Sequence, residues 1–239
     1  LLCIDTNGTE VIPPLEIDTG LQNSEYTFIW SNSNGEIVGT ESSFFPSQGG
    51  DYFLEVFDST LETQCAAPLE NFTVFESSPP IVTAEVTTPA FARIHVIEAN
   101  ATGSGIYEFS LDLGPWQDSG LFYDVGPGEH TVTVRDVNGC GESKETLYVI
   151  DYPRFFTPNA DGYNDLWNIK GVSNQQEAKI YIFDRYGKLL KEIRPSGRGW
   201  DGTYNGNLMP TNDYWFTLYY TDPATGENKQ LSAHFTLKT

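Results

Sequence analysis

Apolar and polar side chains alternate along most of this chain, whereas the three-to-four-residue recurrence of a helix is scarce. Alternation at period two sends successive side chains to opposite faces of an extended backbone, so a chain written this way folds into sheets. Tyr26-Thr27-Phe28-Ile29-Trp30 places Tyr26, Phe28 and Trp30 on one face, and Asp51-Tyr52-Phe53-Leu54-Glu55-Val56-Phe57 alternates as its partner. Between them, Ser33-Asn34-Gly35-Glu36 carries the Asn-Gly pair of a tight hairpin turn. Tyr214-Trp215-Phe216-Thr217-Leu218-Tyr219-Tyr220 is the strongest strand of all. One of its faces belongs to a core, and Trp215, Thr217 and Tyr219 make the other unusually apolar for a surface. The expected fold class is all-β.

At 239 residues the chain exceeds one β domain. Ser77-Ser78-Pro79-Pro80 reads as a linker stiffened at its proline end, and Asp151-Tyr152-Pro153 leads into a last module. The expected domains are therefore residues 1–78, 79–150 and 151–239. In the second, strands are expected at 91–96, 107–111 and 130–134, with Gly126-Pro127-Gly128 turning into the last. In the third, 179–184 and 188–193 form a hairpin across Arg185-Tyr186-Gly187, and 230–238 returns as the final strand. No run of about 18 apolar residues exists to cross a membrane as a helix. Leu1-Leu2-Cys3-Ile4-Asp5 lacks the basic start of a signal peptide, and the chain, lacking an initiating Met, reads as a fragment or processed product of something longer.

Charge is unevenly spread. Residues 1–78 hold 13 Asp and Glu with no Lys or Arg, residues 79–150 hold 10 acidic and 3 basic, and residues 151–239 hold 10 of each. The net charge of −20 thus lies outside the last module. Such acidic segments repel phosphate backbones and anionic lipid, which excludes nucleic acid as their partner.

Three cysteines occur. Cys3 and Cys65 stand near the two ends of the first segment, as expected for a bridge tying its first strand to its last. An oxidising export route permits that bond, which in the chain-entropy model is worth roughly 3–4 kcal/mol for a loop of about 60 residues. Trp30 in mid-strand beside this bridge suggests a sandwich similar to immunoglobulin-like or PKD-like domains. Cys140, in Asn138-Gly139-Cys140-Gly141, is either a buried free thiol or half of a bond to a residue outside this chain.

The last 89 residues carry a dense string of motifs: Phe155-Phe156-Thr157-Pro158-Asn159-Ala160-Asp161-Gly162-Tyr163-Asn164-Asp165-Leu166-Trp167, then Ile182-Phe183-Asp184-Arg185-Tyr186-Gly187-Lys188, Gly199-Trp200-Asp201-Gly202, and Phe235-Thr236-Leu237-Lys238-Thr239 at the chain end. Together they resemble the type B C-terminal sorting domain of type IX secretion, found on Bacteroidota surface proteins related to gliding motility. Upstream, Tyr107-Glu108-Phe109-Ser110-Leu111-Asp112, Trp116 and the closing Asp136-Val137-Asn138-Gly139-Cys140 resemble the repeat of gliding-motility surface adhesins, without the first cysteine of that repeat. The resemblance implies tandem immunoglobulin-like β-sandwich domains ending in a β-sandwich sorting domain. It further implies a cell-surface adhesin carried through the outer membrane by the type IX translocon and held by a PorP/SprF-like outer-membrane β-barrel protein. The residues it marks for structure or recognition are Phe156, Pro158, Asn159, Asp161, Gly162, Asn164, Asp165, Trp167, Asp184, Arg185, Tyr186, Gly187, Trp200, Asp201, Gly202, Trp215, Thr236, Leu237 and Lys238.

Other chemistry is weighed against this. Asn159, Asp161 and Asp165 concentrate oxygen ligands as Ca²⁺ requires, but the loop fails as an EF-hand: its fifth position is Tyr163 and its twelfth Lys170. The favoured reading is a chain of Asx turns satisfying the loop's own backbone. Trp116 or Trp200 as sugar-stacking platforms would make the chain a carbohydrate-binding surface module; a purely structural stalk is the other rival. His95, His130 and His234 lie in alternating patterns, and neither a Gly-x-Ser-x-Gly turn nor a Cys-His pair is present, so no enzyme is expected. A final strand running to the chain end offers unspent backbone groups to a receptor strand. Deleting residues 231–239 is expected to leave the fold intact.

Overall fold

The structure, a computed structural model, describes residues 1–7, 13–60, 67–223 and 225–239. Among these residues it consists of strands and turns without a helix, so the all-β class holds. Two compact units form: one from Leu1–Thr83, Ala99–Gly120 and Val132–Glu145, the other from Ala84–Glu98, Leu121–Thr131 and Thr146–Thr239. The stretch 79–150 contributes residues to both.

The first unit holds a four-stranded sheet in the order Ile37–Gly39, Tyr26–Asn32, Gly50–Asp58, Glu70–Val74. Its two long strands pair as their alternation requires, Phe28 opposite Val56 and Trp30 opposite Leu54. Phe28 and Trp30 are fully buried. The two-stranded sheet Ile17–Asp18 with Ser43–Phe44 supplies the facing layer, where Phe44 stacks on Trp30 at 5.2 Å. The Trp30 indole donates to the Glu41 carbonyl at 2.8 Å, so burial leaves no orphan donor. The Asn34-Gly35 turn, with Gly35 at φ +78°, leads into Ile37–Gly39 and not directly into Gly50–Asp58.

Residues 77–80 are not a free linker. Leu2–Cys3 pairs in parallel with Glu76–Ser77, and Ser77 and Ser78 are 0% and 2% exposed. The Ser78 hydroxyl accepts from the Ser104 amide at 2.9 Å and lies 3.1 Å from the Tyr107 hydroxyl. This pairing also overturns the expected bridge: Cys3 is bonded to Cys140, 137 residues away, and Cys65 lies outside the described residues. The reason is topological. The buried Asp136 carboxylate accepts from the Ile106 and Cys140 amides at 3.2 and 3.0 Å, winding the Asn138-Gly139-Cys140 turn tightly. Gly141 in turn lies against Pro79, beside the strand that pairs with Cys3.

The second unit is built on a five-stranded sheet in the order Phe155–Phe156, Asn228–Leu237, Asn212–Thr221, Lys179–Phe183, Leu189–Ile193. The hairpin across Arg185-Tyr186-Gly187 and the long strand at 212–221 are as expected. Residues 91–96 differ. Phe91 sits at φ +66° in a turn closed by the Ala92 amide on the Pro89 carbonyl, and its ring lies 6.0 Å from both Tyr152 and Tyr220. Anchoring Phe91 in that aromatic cluster overrides local strand propensity, and the strand begins only at Val96.

The terminal strand also corrects two expectations. Its end is already paired, because the Thr236 amide donates to the Arg154 carbonyl at 2.9 Å and the Lys238 amide to the Phe156 carbonyl at 3.0 Å. The edge left open among the described residues lies further back, along 228–235. Phe235 and Leu237 are fully buried, so removing 231–239 would take away a core strand and unfold the module.

A non-reducing digest should yield one peptide pair joining Cys3 to Cys140 that separates on reduction; Cys3 joined to Cys65 would refute the topology. Reduction should lower the unfolding free energy by about 2–5 kcal/mol, read from denaturant titration.

Candidate functional site

Four aspartates build the motif loops, each turned onto its own backbone. The Asp165 carboxylate accepts from the Asn159 and Ala160 amides at 3.0 and 2.6 Å through one oxygen, and from Gly162 at 2.8 Å through the other. Around it, the Asn159 side chain accepts from the Asp161 amide at 3.1 Å, and Asp161 accepts from the Tyr163 amide at 2.8 Å. Left-handed backbone at Gly162 and Asn164, residue types that tolerate it, lets the loop fold so tightly. Asp184 does the same for the hairpin, accepting from the Tyr186 and Lys188 amides at 2.9 and 3.0 Å. Asp201 accepts from the Thr203 amide and hydroxyl at 3.1 and 2.8 Å. The Asx-turn reading of the 159–165 loop therefore fits its geometry. No cluster of three His, Cys, Asp or Glu side chains suited to a metal occurs among the described residues.

These bonds fix protonation. The Tyr163 amide, then the Asn159 side chain, holds Asp161 below the usual carboxylate range. The Thr203 hydroxyl does so for Asp201.

The motifs, distant in sequence, meet at one end of the sheet. Trp167 and Trp200 exchange backbone hydrogen bonds of 2.9 Å in both directions, which sets the 159–165 loop beside the Trp200-Asp201-Gly202 turn. A Cβ added at Gly202 (φ +77°) would stand 2.9 Å from Leu237, 3.1 Å from Pro158 and 3.4 Å from Leu208, so only glycine fits there. The Lys188 ammonium lies 4.5 Å above the Tyr204 ring and draws the hairpin toward the same end. The chain terminus is tied there too: the Thr236 hydroxyl donates to Asp213 at 2.7 Å and the Thr239 amide to the Thr211 hydroxyl at 2.9 Å. An open cleft of about 670 Å³ separates the 159–165 loop from the 203–208 hairpin, with Lys170 and Arg198 on its wall.

Burial separates structural from outward-facing motif residues. Phe156, Trp167, Trp200, Gly202 and Leu237 are buried and cannot touch a partner. Asn159, Asp161, Gly162, Asn164, Arg185, Tyr186, Gly187, Asp201, Trp215 and Lys238 are exposed, Tyr186 at 82%. Pro158, Asp165, Asp184 and Thr236 are partly covered. Of the two expected sugar platforms, Trp200 is fully buried, whereas Trp116 is partly buried and carries the Arg135 guanidinium 4.1 Å over one face of its ring. Sequence reading named Phe155 and Phe156 in the motif string but missed that their strand, with the Arg154 carbonyl, seals the end of the last strand; nothing in so short a segment announces a parallel pairing.

A family model described as the CHU_C type IX secretion signal domain matches residues 150–235. This segment is thus similar to type IX secretion signal domains, in agreement with the motif resemblance. No curated protein matches the chain significantly. Among solved structures it is similar to the amphioxus IgVJ-C2 molecule, at 11% identity over 56% of this chain and 94% of that one, with a TM-score of 0.37. The N-terminal four Ig domains of Dscam1 isoform 6.44 match at 10% identity over 99% and 75%, with a TM-score of 0.31. Domains 4–9 of the surface layer protein SbsC match at 13% over 92% and 40%, with a TM-score of 0.21.

Because folding depresses the Asp161 and Asp201 pKa values, their stabilising contribution is complete above the unfolded Asp value near 3.9 and fades as pH falls through the lower folded values. Amide NMR signals of 159–163 and 201–203 should therefore broaden at acid pH before the sheet melts. Asp165→Ala strands three loop amides and should cost about 1–2 kcal/mol. A chelator should leave the melting temperature of the chain unchanged; a drop would restore the Ca²⁺ reading.

Proposed function

We propose that residues 150–239 act as a folded export and attachment signal, read by the type IX translocon and held at the surface by a PorP/SprF-like outer-membrane barrel. On this reading the chain belongs to a cell-surface adhesin of the gliding-motility type, and its role is not catalytic. The match of residues 150–235 to the secretion signal model carries the proposal. Two features support it. The Cys3–Cys140 bond suits a protein exported to an oxidising compartment. The motif residues converge on one end of the module with Arg185 and Tyr186 outward, and an exposed pair of this kind is a recognition feature.

The open edge of the terminal strand is the second contact surface in this reading. Gln230, Ser232 and His234 share the strand parity of Thr236, whose amide faces away from the 212–221 strand, so their backbone groups point outward. A partner strand would pair there by β-augmentation.

Residues 150–239 fused to an inert cargo should carry it to the surface of a host with the type IX apparatus; cargo that stays in the periplasm would end the proposal. Arg185→Ala with Tyr186→Ala should fold normally yet reduce surface display at least about tenfold. Gln230→Pro, tolerated at an open edge, tests the strand contact separately: it should block display without lowering the melting temperature.

A further inference from the structure

The solvent side of the 179–183, 212–221 and 228–237 strands combines exposed rings with hydroxyl groups. Trp215 and Tyr219 stand on one strand, 42% and 46% exposed and about 13 Å apart along it. Each ring is braced without being covered: Tyr219 meets Tyr181 edge-on at 6.0 Å, and Trp215 lies 6.1 Å from the His234 ring. Between them Thr217 and Ser232 share a hydroxyl–hydroxyl hydrogen bond of 3.0 Å. Alongside, Gln230, Ser232 and His234, opposite Tyr219, Thr217 and Trp215, add polar side chains.

We propose that this face binds a neutral polysaccharide. Aromatic faces take the apolar C–H faces of sugar rings, while hydroxyl, amide and imidazole groups set between them take sugar hydroxyls. An exposed face of this kind suits an extended polymer better than a small ligand, which takes a concave pocket. Charge argues against a polyanion, because the −20 of the whole chain repels one. Trp215 is thus the stacking platform that the buried Trp200 is not.

Electrophoresis of the full chain through gels containing hydroxyethylcellulose, xyloglucan or laminarin tests this. At least one should retard it, and Trp215→Ala with Tyr219→Ala should weaken that binding about tenfold or more. Tyr123→Ala, at an exposed ring elsewhere, should not. Both positions are surface-exposed, and circular dichroism with the melting temperature verifies that the double variant folds. Mobility unchanged by all three polymers overturns the proposal, as does retardation that survives the double substitution. Loss of surface display in that variant without any polysaccharide binding assigns the face to a protein partner and overturns it too.

Discussion

Two backbone hydrogen bonds between Trp167 and Trp200 hold the layout of the C-terminal module. They join two loops that belong to no long strand, and they set both indoles against Phe235, with Trp167 stacked at 3.8 Å. Each indole then finds a carbonyl, Trp167 at Pro153 and Trp200 at Thr203, so two large rings are buried with no polar atom stranded. The 159–165 loop, the Gly202 turn and the terminal strand take their places from this contact. Had the two tryptophans merely packed without the backbone exchange, nothing would fix the loops in register.

The aspartates finish what the tryptophans begin. Asp, one methylene shorter than Glu, reaches the amide two residues ahead, which is why the loops carry Asp at their pivots. Asp161, Asp184 and Asp201 are thereby committed to the backbone, and Asp165 holds amides three to six residues behind it. The cations are placed differently: Arg185, Lys188 and Lys238 lie over Tyr186, Tyr204 and Phe155. Four of the module's ten acids are thus committed to its own turns, while three of its bases lie over rings.

What was legible in the sequence follows the range of the interactions involved. Alternation at 26–30, 51–57, 179–183 and 214–220 gave strands and their inward faces, because each residue's burial there follows from parity alone. The Asx turns at 159–165 were legible because the bonds are local. The Cys3 partner was not, since it depends on a two-residue parallel pairing and a turn 137 residues away. Phe91 misled for the same reason: its distant aromatic neighbours, not its own segment, set its backbone. For the site, spacing named the motif residues but not which of them face out. Trp200 and Trp215 look alike in the sequence, yet one is buried by its bond to Trp167 and the other is left outside by strand parity.

The arrangement bears on what kind of signal this module is. Pro158, Gly202 and Leu237 touch only once the sheet has closed, and the outward pair Arg185 and Tyr186 is held by a turn that Asp184 winds. None of these relations exists in an extended chain. A machine that reads the patch must therefore read a folded domain, and a change that melts the core erases the signal as completely as one that alters its surface. This separates the proposed signal from linear leader peptides, whose information survives unfolding. It also joins export to stability: with Trp167, Trp200 and Phe235 in the core, the free energy that folds the module is the same free energy that assembles its recognition surface.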